Sequence, residues 1–258
     1  MLSSLFSLEG KVAIVTGGAG YLGREMSKIL SEAGAHVIIA SRNLERLKSL
    51  AEEIDKDGGK AEAIQFDMTK QDSIKEMVQK TIEKYGRIDI LVNNASGGVS
   101  NTVEDMTLEE WNSTFIAGVT GYFLCTKAVG PIMKRQGGGN IINVASILGF
   151  MGDDQRRYIN CVSPPNYFAS KGAIIQLTRY LATYWSAHGI RVNTLSPGPF
   201  PSKESLSSLK LDEIGKKVPL GRIGKPEEIA GPLLFLASDA SSYVTGHNLV
   251  ADGGWSVW

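Results

Sequence analysis

The sequence predicts an α/β fold, a doubly wound and mostly parallel sheet of seven strands with helices on both faces. Two observations carry this reading. Short apolar runs rich in β-branched residues recur along the whole chain, and between them apolar residues repeat at helical spacing. Runs that are apolar on both faces suit strands buried on both sides, as in parallel sheets sandwiched between helices.

In chain order, the strands are read at residues 12–15, 36–40, 61–66, 88–92, 141–144, 190–195 and 249–251. A helix with Leu22, Met26, Leu30 and Ala33 on one stripe joins the first two, and one with Ile74, Met77, Val78 and Ile82 precedes the fourth. No Pro/Ser-rich linker, internal repeat or low-complexity block interrupts the pattern, so residues 1–258 are read as a single domain. Residues 149–165 differ from the rest. They have little periodicity, carry Asp153, Asp154, Arg156 and Arg157, and end in Pro164-Pro165, which predicts a long loop. Long loops in compact domains often serve function.

Composition narrows the partners. With 258 residues, 43% of them hydrophobic, the chain can bury a substantial core. Its 27 basic and 27 acidic side chains balance, which argues against a nucleic acid or an anionic membrane as partner and fits a small-molecule substrate. Cys125 and Cys161 are too few for a disulfide framework and lack metal-ligand spacing, so both are read as free thiols and no metal is expected. Residues 1–10 show no export signal, and no run approaches 18 unbroken apolar residues, so the expected compartment is the cytoplasm.

The motifs sit where strands end. The first strand runs into Thr16-Gly17-Gly18-Ala19-Gly20-Tyr21-Leu22-Gly23 and then a helix, a turn that lets backbone approach a pyrophosphate at a helix N-terminus. At the end of the second strand, Ser41-Arg42-Asn43 offers no carboxylate for ribose hydroxyls. Arg42 instead offers a planar fork suited to a 2′-phosphate, which favours NADP(H) and leaves NAD(H) open. Its bland counterpart is a solvated residue opening the next helix. Asp67 and Met68 follow the third strand, and Asn93-Asn94-Ala95-Ser96 follows the fourth. Paired asparagines also occur in turns for purely local reasons.

Ser146 closes the fifth strand, and Tyr167 and Lys171 open the helix after the long loop. Of the eight tyrosines only Tyr167 has a lysine four residues on, a spacing that places both on one helix face. An ammonium nearby is expected to lower the phenol from its usual value near pH 10, as a general acid/base for an alcohol/carbonyl pair requires. A hydrolase is disfavoured, because Ser146 lies in no G-x-S-x-G elbow and His36, His188 and His247 show no triad context.

These motifs, with the Pro197-Gly198 turn and the closing Asp252-Gly253-Gly254, resemble the classical short-chain dehydrogenase/reductase family from end to end. The resemblance implies a Rossmann-type domain, a nicotinamide cofactor, and catalysis by Ser146, Tyr167 and Lys171. Lys171 would hold the nicotinamide ribose, Ser146 the substrate oxygen, and Tyr167 would exchange the proton. Gly17, Gly20, Tyr21, Leu22, Gly23, Ser41, Arg42, Asp67, Met68, Asn93, Ala95, Pro197, Gly198 and Ser202 would complete the cofactor contacts. It also implies a homotetramer or homodimer, with Tyr180, Tyr184 and Trp185 suited to an interface or to the core.

Three departures stand out. Tyr21 occupies the place of the family's middle glycine, with Gly20 just before it, which suggests a turn shifted by one residue. Gly118 falls where the family's helical asparagine stands, so the alternative reading is a catalytically impaired, NADP-binding sensor or assembly subunit. Residues between Ser146 and Tyr167 outnumber the family's usual count. This predicts an inserted loop over the active site, with Arg156 or Arg157 meeting an anionic, sugar-like substrate; a merely solvated loop is the alternative.

Overall fold

In a computed structural model, residues 2–152, 164–202 and 208–258 are described. After a short helix, α1 (Leu2–Phe6), the chain alternates β1 (Val12–Thr16), α2 (Tyr21–Glu32), β2 (His36–Ser41), α3 (Leu44–Lys56), β3 (Lys60–Gln65), α4 (Gln71–Tyr85) and β4 (Ile90–Asn93). It continues through α5 (Leu108–Phe115), a π-helical turn (Ile116–Thr120), α6 (Gly121–Gln136), β5 (Gly139–Val144), α7 (Pro165–Trp185) and β6 (Ile190–Pro197). α8 (Ser208–Lys216), α9 (Ala230–Ala237) and β7 (Asn248–Ala251) complete it.

The seven strands form one sheet in the order β3-β2-β1-β4-β5-β6-β7, and every pair is parallel. From β1 the chain winds to one edge, crosses back to β4 and winds to the other. Between β1 and β4 the connections leave in opposite directions, which opens a crevice beyond the carboxyl ends of the strands.

Strand alternation builds two cores from one sheet. Val12 and Ile14 join α4, α6 and α7 on one face, whereas Ala13 and Val15 join α2, α3 and α9 on the other. All of β1 is buried, which explains its unbroken apolar run. Burying a side chain such as Ile14 contributes about 1.5–3 kcal/mol.

The differences from the sequence expectation lie at edges and ends. The fourth strand begins at Ile90 rather than Ile88, because Asp89 turns its carboxylate to the Val12 amide (2.9 Å) and to Arg87. β3 is an edge strand of mixed burial, so its sequence signal is weaker and its bounds shift by one residue. The helical run Leu108–Gln136 is long and apolar enough to cross a membrane by length and composition alone. Here it is a core helix, with Tyr122, Cys125, Val129 and Met133 packed on the sheet.

Candidate active site

The glycine turn is held by backbone approach that side chains would prevent. Gly17 has φ of 65°, and a Cβ there would lie 2.8 Å from Ala95 Cα. A Cβ on Gly23 would fall 2.1 Å from the Gly17 oxygen. The Gly20 amide donates to that same oxygen at 2.9 Å, and Gly20 is the N-cap of α2 with no side-chain cap and no acidic residue in the first turn. Tyr21 therefore takes the first helical position. The turn uses Gly17, Gly20 and Gly23 and leaves the amide-rich, positive end of α2 facing the crevice, as a pyrophosphate requires.

The two asparagines after β4 have different fates. Asn94 donates from Nδ2 to the Thr16 and Gly17 oxygens, both at 3.1 Å, while its amide donates to Thr16 Oγ1 at 3.0 Å. It ties the glycine turn to the end of β4 and lines the crevice. Asn93 is fully buried, donating to Asn143 Oδ1 (2.9 Å) and Thr126 Oγ1 (3.2 Å); Asn143 in turn donates to Thr178 Oγ1 at 2.9 Å. Asn93, read as a cofactor contact, thus has its side chain in the core and is not among the residues lining the crevice, whereas its neighbour Asn94 is.

At the far end, Asn43 caps α3 by accepting from the Arg46 amide, and Arg42 and Arg46 both line the crevice. Burial raises the Asp67 carboxyl, but hydrogen bonds from the Thr69 hydroxyl (2.8 Å) and amide (3.0 Å), aided by Lys70 and Arg42, hold it below the usual range.

At the near end, Ser146 follows β5 and accepts from the Leu148 amide at 3.2 Å. Buried Asn166 anchors the start of α7: it accepts from the Tyr167 amide (2.8 Å) and donates to Thr114 Oγ1 (2.8 Å) and the Val99 oxygen (3.0 Å). One turn on, Lys171 is buried and donates to the Val144 oxygen at 2.9 Å. Its ammonium stands 5.4 Å from the centre of the Tyr167 ring. Burial pulls Lys171 down to about 8. Tyr167 is pushed up by burial, and a hydrogen bond with Ser146 only partly offsets this. The expected lowering of the phenol is therefore corrected: burial outweighs what its neighbours contribute, and the hydrogen bond of the ammonium goes to the Val144 carbonyl.

The glycine turn, the tip of β2 and the Ser146, Tyr167 and Lys171 group share one cleft of about 630 Å³. It brings together Gly17, Gly20, Tyr21, Leu22 and Gly23, Ser41 and Arg42, Asp67 and Met68, Ala95, Ser146, Tyr167, Lys171, Pro197 and Gly198. Ser202 is not among its lining residues, and Arg156 and Arg157, like most of the loop read at 149–165 and Cys161, lie outside the described residues. Sequence reasoning missed Arg46, whose signal was its spacing of four from Arg42, and Phe200, which had none.

A family model described as Enoyl-(Acyl carrier protein) reductase matches residues 18–256. A short-chain type dehydrogenase/reductase from Mycobacterium marinum has a solved structure that is 37% identical, with a TM-score of 0.91 over 100% of both chains. The chain belongs to the short-chain dehydrogenase/reductase family. Also similar is 3-oxoacyl-(acyl-carrier-protein) reductase FabG from Thermotoga maritima, 39% identical over 96% of this chain and 98% of that protein. A gluconate 5-dehydrogenase from Burkholderia cenocepacia, solved with NADP and tartrate, is 30% identical with a TM-score of 0.91 over 100% of both chains.

This short-chain dehydrogenase/reductase is accordingly an oxidoreductase of alcohol and carbonyl groups that binds a nicotinamide cofactor and a small-molecule substrate. The cleft fits such a cofactor: a Cβ at Gly17 or Gly23 would fill the cradle, and the uncapped end of α2 opens onto it. Gly118 lies buried in the π-helical turn, where a Cβ would meet only Ser170, at 3.9 Å and beyond.

Proposed function

We propose that this enzyme uses NADP(H) in preference to NAD(H) to interconvert a secondary alcohol and a ketone on a sugar-like, anionic substrate. The observation that carries the reading is the composition of the single cleft. One end holds Arg42 and Arg46 with no carboxylate at the tip of β2, and the other holds Ser146, Tyr167 and Lys171. A 2′-phosphate fits the first end, since guanidinium forks match phosphate oxygens.

The bound nicotinamide would supply or accept the hydride. Gly17, Gly20, Tyr21, Leu22 and Gly23 would hold its pyrophosphate, Ser41 and Arg42 the adenosine ribose, Asp67, Met68 and Ala95 the adenine side, and Pro197, Gly198 and Ser202 the carboxamide end. Lys171 would bond the nicotinamide ribose. Ser146 would hold the substrate oxygen, and Tyr167 would give that oxygen its proton in reduction or take it in oxidation. With its phenol pushed up by burial, Tyr167 is the neutral acid that reduction needs, and in oxidation it would take the alcohol proton only after giving up its own. A sugar acid is favoured as substrate by the likeness to gluconate 5-dehydrogenase, and Arg156 or Arg157 would meet its carboxylate. The outer faces of α6 and α7 expose Phe123, Tyr180 and Tyr184, the last two stacked at 5.7 Å, which supports assembly as a homotetramer or homodimer.

Titration with NADPH and NADH, followed by nicotinamide fluorescence, tests the first half. Wild type is expected to prefer NADPH, and Arg42→Ala to lose that preference; equal binding of both cofactors would refute it. Gluconate oxidation with NADP+, absent in Tyr167→Phe, tests the second half.

A further inference from the structure

We propose that Tyr122 is the positioning residue for Lys171, fixing the ammonium on the Val144 carbonyl so that it is presented to the cofactor. This rests on the reading of the cleft given above. The last paired residues of β4 and β5 are Asn93 and Asn143, so the Val144 oxygen lies one residue beyond that ladder and is left to side-chain donors. Two reach it: Lys171 Nζ at 2.9 Å and Tyr122 Oη at 3.1 Å. A carbonyl oxygen has two lone pairs, and these two donors fill both.

The Tyr122 ring does a second thing. It is wholly buried in α6, with Lys171 Nζ 5.7 Å from its centre, while the Tyr167 ring stands 5.4 Å from the same nitrogen. The ammonium therefore lies within reach of two aromatic rings, each attractive to a cation in a desolvated setting. Gly118, one helical turn before Tyr122, contributes no side chain to this face. Burial, with the field of Tyr167 and Cys125 adding to it, pushes the Tyr122 phenol well above its usual range. It therefore remains a neutral donor at every working pH and orients Lys171 without relaying its proton.

Among the described residues, the titratable groups that face Lys171 are Tyr167 on its own helix and Tyr122 on α6, with Cys125 behind Tyr122 and pushed up to about 12. Neither the phenols nor the thiol changes charge between pH 7 and 9.5, so Lys171 alone titrates in that window among them.

The experiment is NADPH binding to the full chain, by fluorescence, from pH 7 to 9.5, for wild type, Tyr122→Phe and Tyr122→Leu, with thermal unfolding of each. Tyr122→Phe keeps the ring and loses one hydrogen bond; its dissociation constant is expected to rise roughly 3-fold. Tyr122→Leu loses ring and hydroxyl, and is expected to bind at least roughly 10-fold more weakly, with the alkaline loss of binding moved to lower pH. An unchanged dissociation constant in Tyr122→Phe, or an unchanged pH midpoint in Tyr122→Leu where that variant folds, would overturn the proposal, whatever the change in melting temperature. If wild type binds neither NADPH nor NADH, the reading of the cleft fails first and this proposal falls with it.

Discussion

The hydroxyl of Tyr21 donates to the carbonyl oxygen of Pro201 at 3.3 Å, joining the glycine turn to the segment after β6 across 180 residues of chain. Tyr21 lines the cleft, as does Phe200, the neighbour of Pro201. If this tie holds the glycine turn closed on a bound cofactor, breaking it would ease release. Tyr21→Phe is expected to speed NADPH dissociation by roughly 2- to 10-fold, the worth of one net hydrogen bond. Stopped-flow displacement checks it, and an unchanged off-rate removes the tie from the account.

Lys171 sets function against stability. In the unfolded chain a lysine titrates near 10.5, whereas in the fold Lys171 titrates at about 8. Below pH 8 both states carry the proton and burial costs its full amount, roughly 3 kcal/mol. Between pH 8 and 10.5 the unfolded state binds more protons, so the contribution of this group to stability rises with pH. Lys171→Met is expected to abolish turnover, raise the melting temperature at pH 7, and flatten that alkaline rise. A variant less stable than wild type at pH 7 would show that the bond to Val144 outweighs the desolvation.

Asn166 holds Tyr167 from the preceding position. Replacing it with leucine leaves the Tyr167 amide with only the Pro164 oxygen (3.0 Å) and strips Thr114 Oγ1 and the Val99 oxygen of their donor. Each buried group left unpartnered costs about 1–3 kcal/mol. Asn166→Leu is expected to melt several degrees lower and to lose kcat more than substrate affinity, since it displaces the proton donor. Equal kcat with a lowered melting temperature would confine Asn166 to a purely stabilising role.

Gly118 leaves room for a side chain, as its Cβ would meet only Ser170 at ordinary contact distance. Gly118→Ala is expected to stabilise by about 0.5–1 kcal/mol, through lower entropy of the unfolded chain. Denaturant unfolding checks the sign; destabilisation would mean that the π-helical turn itself needs glycine.

The sequence made the sheet legible wherever strands were buried on both faces, as in β1, and blurred it at the β3 edge, where solvent replaces one apolar face. Motif spacing located the crevice but not the direction of each side chain. Asn93 and Asn94 read alike in a turn, yet strand geometry sends the first into the core and the second to the glycine turn. Tyr122 and Asn166 carried no signal, because their roles depend on a carbonyl and a helix far away in the chain. The direction of the Tyr167 shift was misread for a related reason: spacing of four promises proximity to Lys171, but only packing decides which atom the ammonium meets.

The chain of hydrogen bonds from Thr126 through Asn93 and Asn143 to Thr178 links α6, β4, β5 and α7 inside the core. Of these, α6, β5 and α7 carry Tyr122, Val144, Tyr167 and Lys171. None of them can open without stranding buried amides, so their backbone hydrogens should exchange with solvent together, in a single slow class set by global unfolding. The proton-handling wall of the cleft is thus as durable as the protein itself, and the more easily opened parts of the molecule lie elsewhere.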